Sequence, residues 1–218
     1  MGSCNHTMYA FAADTGKKLW EFTAGGAIEG SPAVSGGMVF FGSSDKKVYA
    51  LDAASGQKKW EFLAGDALGS SPAVSGGVLF VGSADKKVYA LDVANGQKKW
   101  EFETGDAVSS SPAVSAGRVF VGSNDRRFYA FDAASGRKLW EYETGDVVTS
   151  SPAVSGDLVF VGGYDSNVYA FDAATGAKRW EYPAGDMVVT SPVIWGNKLY
   201  IGTFGGSLLC FSTATTPS

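Results

Sequence analysis

The stretch Ala50-Leu51-Asp52-Ala53-Ala54-Ser55-Gly56-Gln57-Lys58-Lys59-Trp60 reads as a strand, a tight turn and a second strand. Apolar residues alternate up to Asp52, Ser55-Gly56 supplies turn chemistry, and Lys59-Trp60-Glu61-Phe62 resumes the alternation. A carboxylate at position 52 can accept hydrogen bonds from the N–H groups of the turn it opens, and Gly56 can take φ > 0 without a Cβ clash. The reading is a hairpin that ends in a tryptophan. Close copies return every forty residues, from Ala90 to Trp100, Ala130 to Trp140 and Ala170 to Trp180. An earlier copy runs from Ala10 to Trp20, and its aspartate position holds Ala12.

A forty-residue period holding four short strands marks a propeller blade, a four-stranded antiparallel sheet that cannot bury both faces alone and stacks on its neighbours around an axis. Around the quoted hairpin, Ser31-Pro32-Ala33-Val34-Ser35 reads as the inner strand, Met38 to Gly42 as the second, Lys47 to Leu51 as the third and Lys59 to Phe62 as the outer. Residues 31–70, 71–110, 111–150 and 151–190 are full blades, 1–30 is a half-blade, and 191–218 supplies closing strands without a docking tryptophan. Inner strands open at Pro32, Pro72, Pro112, Pro152 and Pro192. The expectation is an all-β, five-bladed propeller, a single domain over 1–218, with one blade closed by the N- and C-terminal strands.

One strand is surplus to that ring, because Leu208 to Phe211 and Met8 to Phe11 occupy the same register in the repeat. The first is more apolar and follows its own second strand directly, so it is expected to take the third place and push Met1 to Thr7 outward or into disorder. A leftover edge can pair with another molecule, which makes a monomer and a strand-exchanged oligomer the two alternatives. The first two full blades differ at only a quarter of their positions. That reads as recent amplification or design, and it confines any specialised function to the few positions that differ.

The hairpin resembles the tryptophan-docking motif of the pyrroloquinoline-quinone-type (PQQ-like) propeller repeat, Ala-x-Asp-x-x-Thr-Gly-x-x-x-Trp, and Ala170, Asp172, Thr175, Gly176 and Trp180 match every fixed position. The match extends over nearly all of the chain. The resemblance implies that each ring lies between the motif alanine and the glycine peptide of adjacent motifs. Trp20, Trp60, Trp100, Trp140 and Trp180, with Gly16, Gly56, Gly96, Gly136 and Gly176, are then structural docking residues, and Asp52, Asp92, Asp132 and Asp172 are turn caps. The family name also raises a quinoprotein dehydrogenase, but such enzymes are typically larger rings with an acidic calcium site, an aspartate base and often a vicinal cysteine pair. Here Cys4 and Cys210 are far apart, and the acidic turn residues Asp45, Asp85, Asp125 and Asp165 recur symmetrically, as backbone caps do. No cofactor is expected. Similar repeats in an outer-membrane-assembly lipoprotein and in sensor regions of bacterial kinases point to interaction rather than turnover.

The residues narrow the chemistry further. His6 is the only histidine, so neither a repeated Ser-His-Asp triad nor a multi-histidine metal site can be assembled, and Cys4-x-His6 offers too few ligands for zinc. Gly36-Gly37 and Gly76-Gly77 lie between strands, not ahead of a helix as in a phosphate loop. Catalytic and metal-binding residues are therefore expected to be none. Ring closure would bring Cys4 near Cys210, where a disulfide and two independent thiols are both open readings. With 18 Lys and Arg against 22 Asp and Glu, the net charge of −4 gives no field for nucleic acid, and no apolar run is long enough to span a membrane as a helix. No basic-then-apolar secretory segment opens the chain, and localisation is unassigned.

Two surfaces remain. The segments leading into the inner strands place Glu29, Ser70, Ser110, Ser150 and Thr190 at a possible channel mouth, where the hydroxyls could also serve local backbone bonding. The turns at Ser44-Asp45-Lys46-Lys47 and its copies form a second, more variable ring. Loops on a rigid scaffold are where propellers place binding, so the expected function is a non-enzymatic scaffold for a protein or peptide partner. A small-ligand or carbohydrate-binding propeller is the alternative, and a quinoprotein remnant the next.

Overall fold

A computed structural model describes residues 1–212, and the end of the expected closing segment, 213–218, lies outside the described residues. All described regular structure is β, and the chain divides into two compact units, Met1–Pro112 and Ala113–Ser218.

The first unit holds β1 (Thr7–Phe11), β2 (Lys18–Thr23), β3 (Ala33–Ser35), β4 (Met38–Gly42), β5 (Lys47–Asp52), β6 (Lys58–Leu63), β7 (Ala73–Ser75), β8 (Val78–Gly82), β9 (Lys87–Asp92) and β10 (Lys98–Glu103). They form a two-stranded sheet, β1-β2, and two four-stranded antiparallel meanders, β3-β4-β5-β6 and β7-β8-β9-β10. Within each hairpin the register slips: Ala50 faces Trp60 while Leu51 faces Lys58, so Lys59 is the extra residue of a bulge. The bulge keeps tryptophan opposite the small alanine. Successive sheets pack face to face: Phe40, Val48, Trp60 and Leu68 meet Leu79, Val81, Tyr89 and Leu91 in one core cluster. Met8, Ala24 and Ile28 meet Val39, Phe41, Tyr49 and Leu51 in another.

The second unit holds β11 (Ala113–Ser115), β12 (Arg118–Ser123), β13 (Arg127–Asp132), β14 (Lys138–Glu143), β15 (Ala153–Ser155), β16 (Leu158–Gly162), β17 (Asn167–Asp172), β18 (Lys178–Pro183), β19 (Val193–Trp195), β20 (Lys198–Gly202) and β21 (Leu208–Ser212). Two more four-stranded meanders, β11-β12-β13-β14 and β15-β16-β17-β18, are followed by the three-stranded β19-β20-β21. Phe120, Phe128 and Trp140 pack on Val159, Tyr169 and Phe171, and Phe160 and Val168 pack on Leu199 and Ile201.

The expected blade built from both termini is not a single sheet. β1 and β2 stand as a pair, and β21 fills the third place beside β20, with Ile201 opposite Leu209 and Tyr200 opposite Cys210. The reason is local: each terminal strand is joined to its partner by a short turn, so pairing there closes a far smaller loop than pairing the chain ends. β21 thus takes the expected third place, and of the segment expected to turn outward Met1, Cys4, Asn5 and His6 are exposed while its end is anchored. Met8 is fully buried, Thr7 is buried, and Met1 exchanges backbone hydrogen bonds with Tyr9, the amino group donating to Tyr9 O at 2.8 Å and Tyr9 N–H to Met1 O at 2.9 Å. Phe41 stands opposite Tyr49 in the same way one repeat later. Both cysteines are free and exposed.

Candidate functional site

The repeated hairpin places a side chain from one sheet on the backbone of the next. The Trp20 ring lies over Gly56, where a Cβ would fall 2.7 Å from Trp20 Cδ2, and its Nε1 donates to Ala53 O at 2.9 Å. Gly56 has φ 73°, so the turn needs glycine for its conformation as well as its space. Trp60 repeats the arrangement over Gly96, donating to Val93 O at 2.9 Å, and Trp140 over Gly176, donating to Ala173 O at 3.2 Å. Trp180 instead stacks on Phe211, with ring centroids 5.3 Å apart. Trp20, Trp60 and Trp140 each bury aromatic area and satisfy their one donor.

The turn aspartates are held as caps. Asp52 Oδ1 accepts from Ala54 N–H, Ser55 N–H and the Ser55 hydroxyl, and Lys59, standing on the bulge, reaches Oδ2 at 3.3 Å. The Ser55 hydroxyl first, then its N–H, then Lys59 hold the Asp52 carboxyl down from its ordinary 3.8 to about 2. Asp92, Asp132 and Asp172 are lowered as well, chiefly by Lys99, Ser135 and Arg179 respectively.

A second inter-sheet device escaped the sequence reading. Asp45, read only as a turn cap, accepts from Lys47 N–H at Oδ1, and at Oδ2 from both the Tyr49 hydroxyl at 2.6 Å and Gly25 N–H at 2.7 Å. Gly25 follows the outer strand of the preceding sheet, so one carboxylate joins two sheets. Asp85 with Tyr89 and Gly65, and Asp165 with Tyr169 and Gly145, repeat it. Burial first, then the neighbouring aspartate, pushes each of these tyrosines well above the ordinary phenol range, so they stay neutral donors. The signal was present as an Asp and a Tyr four residues apart with a Gly twenty residues before the Asp.

Of the hydroxyls expected at a channel mouth, those of Ser70, Ser110 and Ser150 are buried, while Thr190 is exposed. Ser70 is 2% exposed, donates to Gly82 O and accepts from Gly82 N–H, both at 2.9 Å. Ser150 accepts from Gly162 N–H and Thr190 from Gly202 N–H in the same way, while Ser110 is fully buried. The local-bonding alternative describes them: a hydroxyl just before an inner strand ties that segment to the end of the second strand. Glu29 is exposed and, with Gly69, Ala84 and Ser109, lines a shallow cavity of about 380 Å³. His6 is exposed, and among the described residues no group of three or more His, Cys, Asp or Glu is arranged to hold a metal ion. No described helix could cross a membrane.

The least finished surface lies beside β1. Among the described residues, β2 is its only sheet neighbour, and beyond Met1 the rest of its outer edge faces an apolar groove of about 440 Å³. Phe11, Leu19 and Val34 line the groove and are 47%, 59% and 68% exposed. In the neighbouring sheet the corresponding edge of β5 is fully paired with β4, from Met38 opposite Asp52 to Gly42 opposite Val48.

The family model described as outer membrane protein assembly factor BamB matches residues 1–69 and 63–218. Among solved structures, BamB from Moraxella catarrhalis aligns over 97% of this chain with a TM-score of 0.83 and 19% identity. The computationally designed protein Ika8 aligns over 97% with a TM-score of 0.88 and 18% identity. Both are propeller-like neighbours whose likeness at this identity is one of fold, and the chain spans 66% of the length of each. No curated protein matches the chain.

Proposed function

Because the chain belongs to the BamB family of PQQ-like propeller repeat proteins, we propose that it is an interaction scaffold that binds a protein or peptide partner and performs no chemistry of its own. The observation that supports this most is the open edge of β1 beside the apolar groove of Phe11, Leu19 and Val34. A strand edge offers unpaired N–H and C=O groups, and a groove beside it receives alternate side chains, which together suit an extended segment added as a new strand. The family's role in outer membrane protein assembly fits such a partner, since outer-membrane barrels are built from strands. In a closed ring of five blades within a single domain, Val193–Gly202 would take the edge of β1, at the expense of the β20–β21 pairing.

The test uses a peptide with the sequence of residues 71–82, the inner hairpin of a complete sheet, labelled for fluorescence anisotropy. Saturable binding is expected, weakened about tenfold or more by Phe11→Asp or Val34→Glu, both exposed positions whose change leaves the core alone. No saturable binding, or binding indifferent to both variants, contradicts the reading. The non-catalytic part is tested separately: calorimetry with pyrroloquinoline quinone and calcium is expected to show no saturable heat. A one-to-one complex that oxidises an alcohol would overturn it.

A further inference from the structure

Where a sequence is nearly periodic, side chains that break the period without serving the fold are the places to look for a site. Two such positions meet at the turn end of β11–β14 and β15–β18, where Arg118, Asp157, Ala116 and Ala173 help to line a pocket of about 280 Å³. At the position of Arg118 the other copies carry Met38, Val78, Leu158 and Lys198. At that of Asp157 they carry Gly37, Gly77, Gly117 and Asn197. No other pair of adjoining repeats places a cation and an anion at these two positions.

Neither charge is consumed by the fold. Among the described residues, neither takes part in an ion pair, and the one hydrogen bond of the Arg118 side chain is from Nη1 to Ala116 O at 3.4 Å. The third charged lining residue, Asp172, is committed to the N–H groups of Ala174 and Thr175, the Thr175 hydroxyl and Arg179. The pocket therefore presents the donors of one guanidinium and one carboxylate against a charge-balanced background.

The backbone around it is fixed. Ala173 N–H donates to Asp157 O at 2.8 Å, and Ala173 O accepts from Trp140 Nε1 at 3.2 Å, so the tryptophan holds the peptide that holds the Asp157 turn. Ala116 has φ 47°, a left-handed conformation that glycine adopts at Gly36, Gly76, Gly156 and Gly196, and its carbonyl is the one that Arg118 meets.

We propose that this pocket binds a small zwitterionic amino acid, its carboxylate on Arg118 and its ammonium on Asp157. A simple anion would pair with Arg118 but lie beside two carboxylates, and a simple cation would pair with Asp157 but lie beside the guanidinium. A ligand bearing both signs satisfies both groups at once and fits the volume.

Amide chemical shifts of the whole chain, followed while adding glycine, β-alanine or 4-aminobutyrate, test this and set the charge spacing. Acetate and methylammonium serve as half-ligands. At least one zwitterion is expected to shift the amides of residues 115–118 and 156–158 saturably, about tenfold more tightly than either half-ligand, with affinity falling as salt rises. Arg118→Met and Asp157→Gly place residues that sister repeats already carry, so the remaining spectrum should be preserved while binding weakens about tenfold. Absence of saturable shifts with all three zwitterions, half-ligands binding as well as the best of them, or undiminished binding in the two variants would overturn the proposal. The peptide titration at β1 reads a different surface, so the two results are separable.

Discussion

The hairpins ending at Trp20 and Trp60 share a backbone and differ in what surrounds it. In both, the turn opener receives the N–H of the glycine four residues on, Gly16 at 2.8 Å and Gly56 at 2.9 Å, and both glycines have positive φ, 67° and 73°. Both carry the same bulge. Yet Ala12 provides no carboxylate where Asp52 accepts three hydrogen bonds, and Tyr9 meets the amide of exposed Asn5 where Tyr49 meets Asp45. Phe11 is 47% exposed where Leu51 is fully buried. Turn chemistry and backbone bonds suffice to shape the hairpin. The neighbouring sheet decides how much stability each side chain adds.

The comparison is sharpest for the tryptophans. Trp60→Ala should cost about 3–5 kcal/mol in chemical denaturation, because a ring only 9% exposed leaves a cavity between two complete sheets. Trp20→Ala, at a partly buried ring beside the groove, should cost clearly less, and equal costs would break the comparison. Next in size, Tyr49→Phe should cost about 1–2 kcal/mol by leaving Asp45 Oδ2 with one partner fewer in a partly buried site. Tyr9→Phe should be nearly silent.

The smallest effects belong to the caps. Asp52→Ala should lower the melting temperature by a few degrees and Ala12→Asp raise it by less, both read by calorimetry. Acid separates the two hairpins without mutation. The folded-state value of Asp52 lies below its ordinary 3.8, so its contribution is complete above that pH and is lost as pH falls through about 2. Amide exchange at Ala54 to Gly56, corrected for the intrinsic pH dependence, should accelerate over that window, while Asp14 to Gly16 should show no such step.

How far these features could be read from the chain follows from their range in sequence. Asp52, Gly56 and Trp60 declare a hairpin within eleven residues by alternation and turn chemistry, and the repeat then declares stacked sheets. The Asp45–Tyr49–Gly25 contact spans two sheets, so only the fold reveals it. Ser70 was ambiguous because a hydroxyl before an inner strand can face solvent or the strand, and only the fold brings the backbone N–H and C=O of Gly82 within its reach. β21 takes the third place beside β20, as its apolar sequence and direct link to β20 imply, but β1 carries the same register, and the repeat alone cannot say which sheet that second copy joins. Arg118 and Asp157 were visible as departures from the repeat, but their meeting in one pocket was not.

The central claim is that β1 ends in an edge made to take another strand. Hydrogen exchange at Thr7 to Phe11, with and without the peptide of residues 71–82, tests it most directly. The account predicts that the peptide slows exchange at the outward-facing amides of β1 toward the protection of Lys47 to Asp52, while β5 itself is unchanged. Unaltered exchange in β1 at saturating peptide would contradict it.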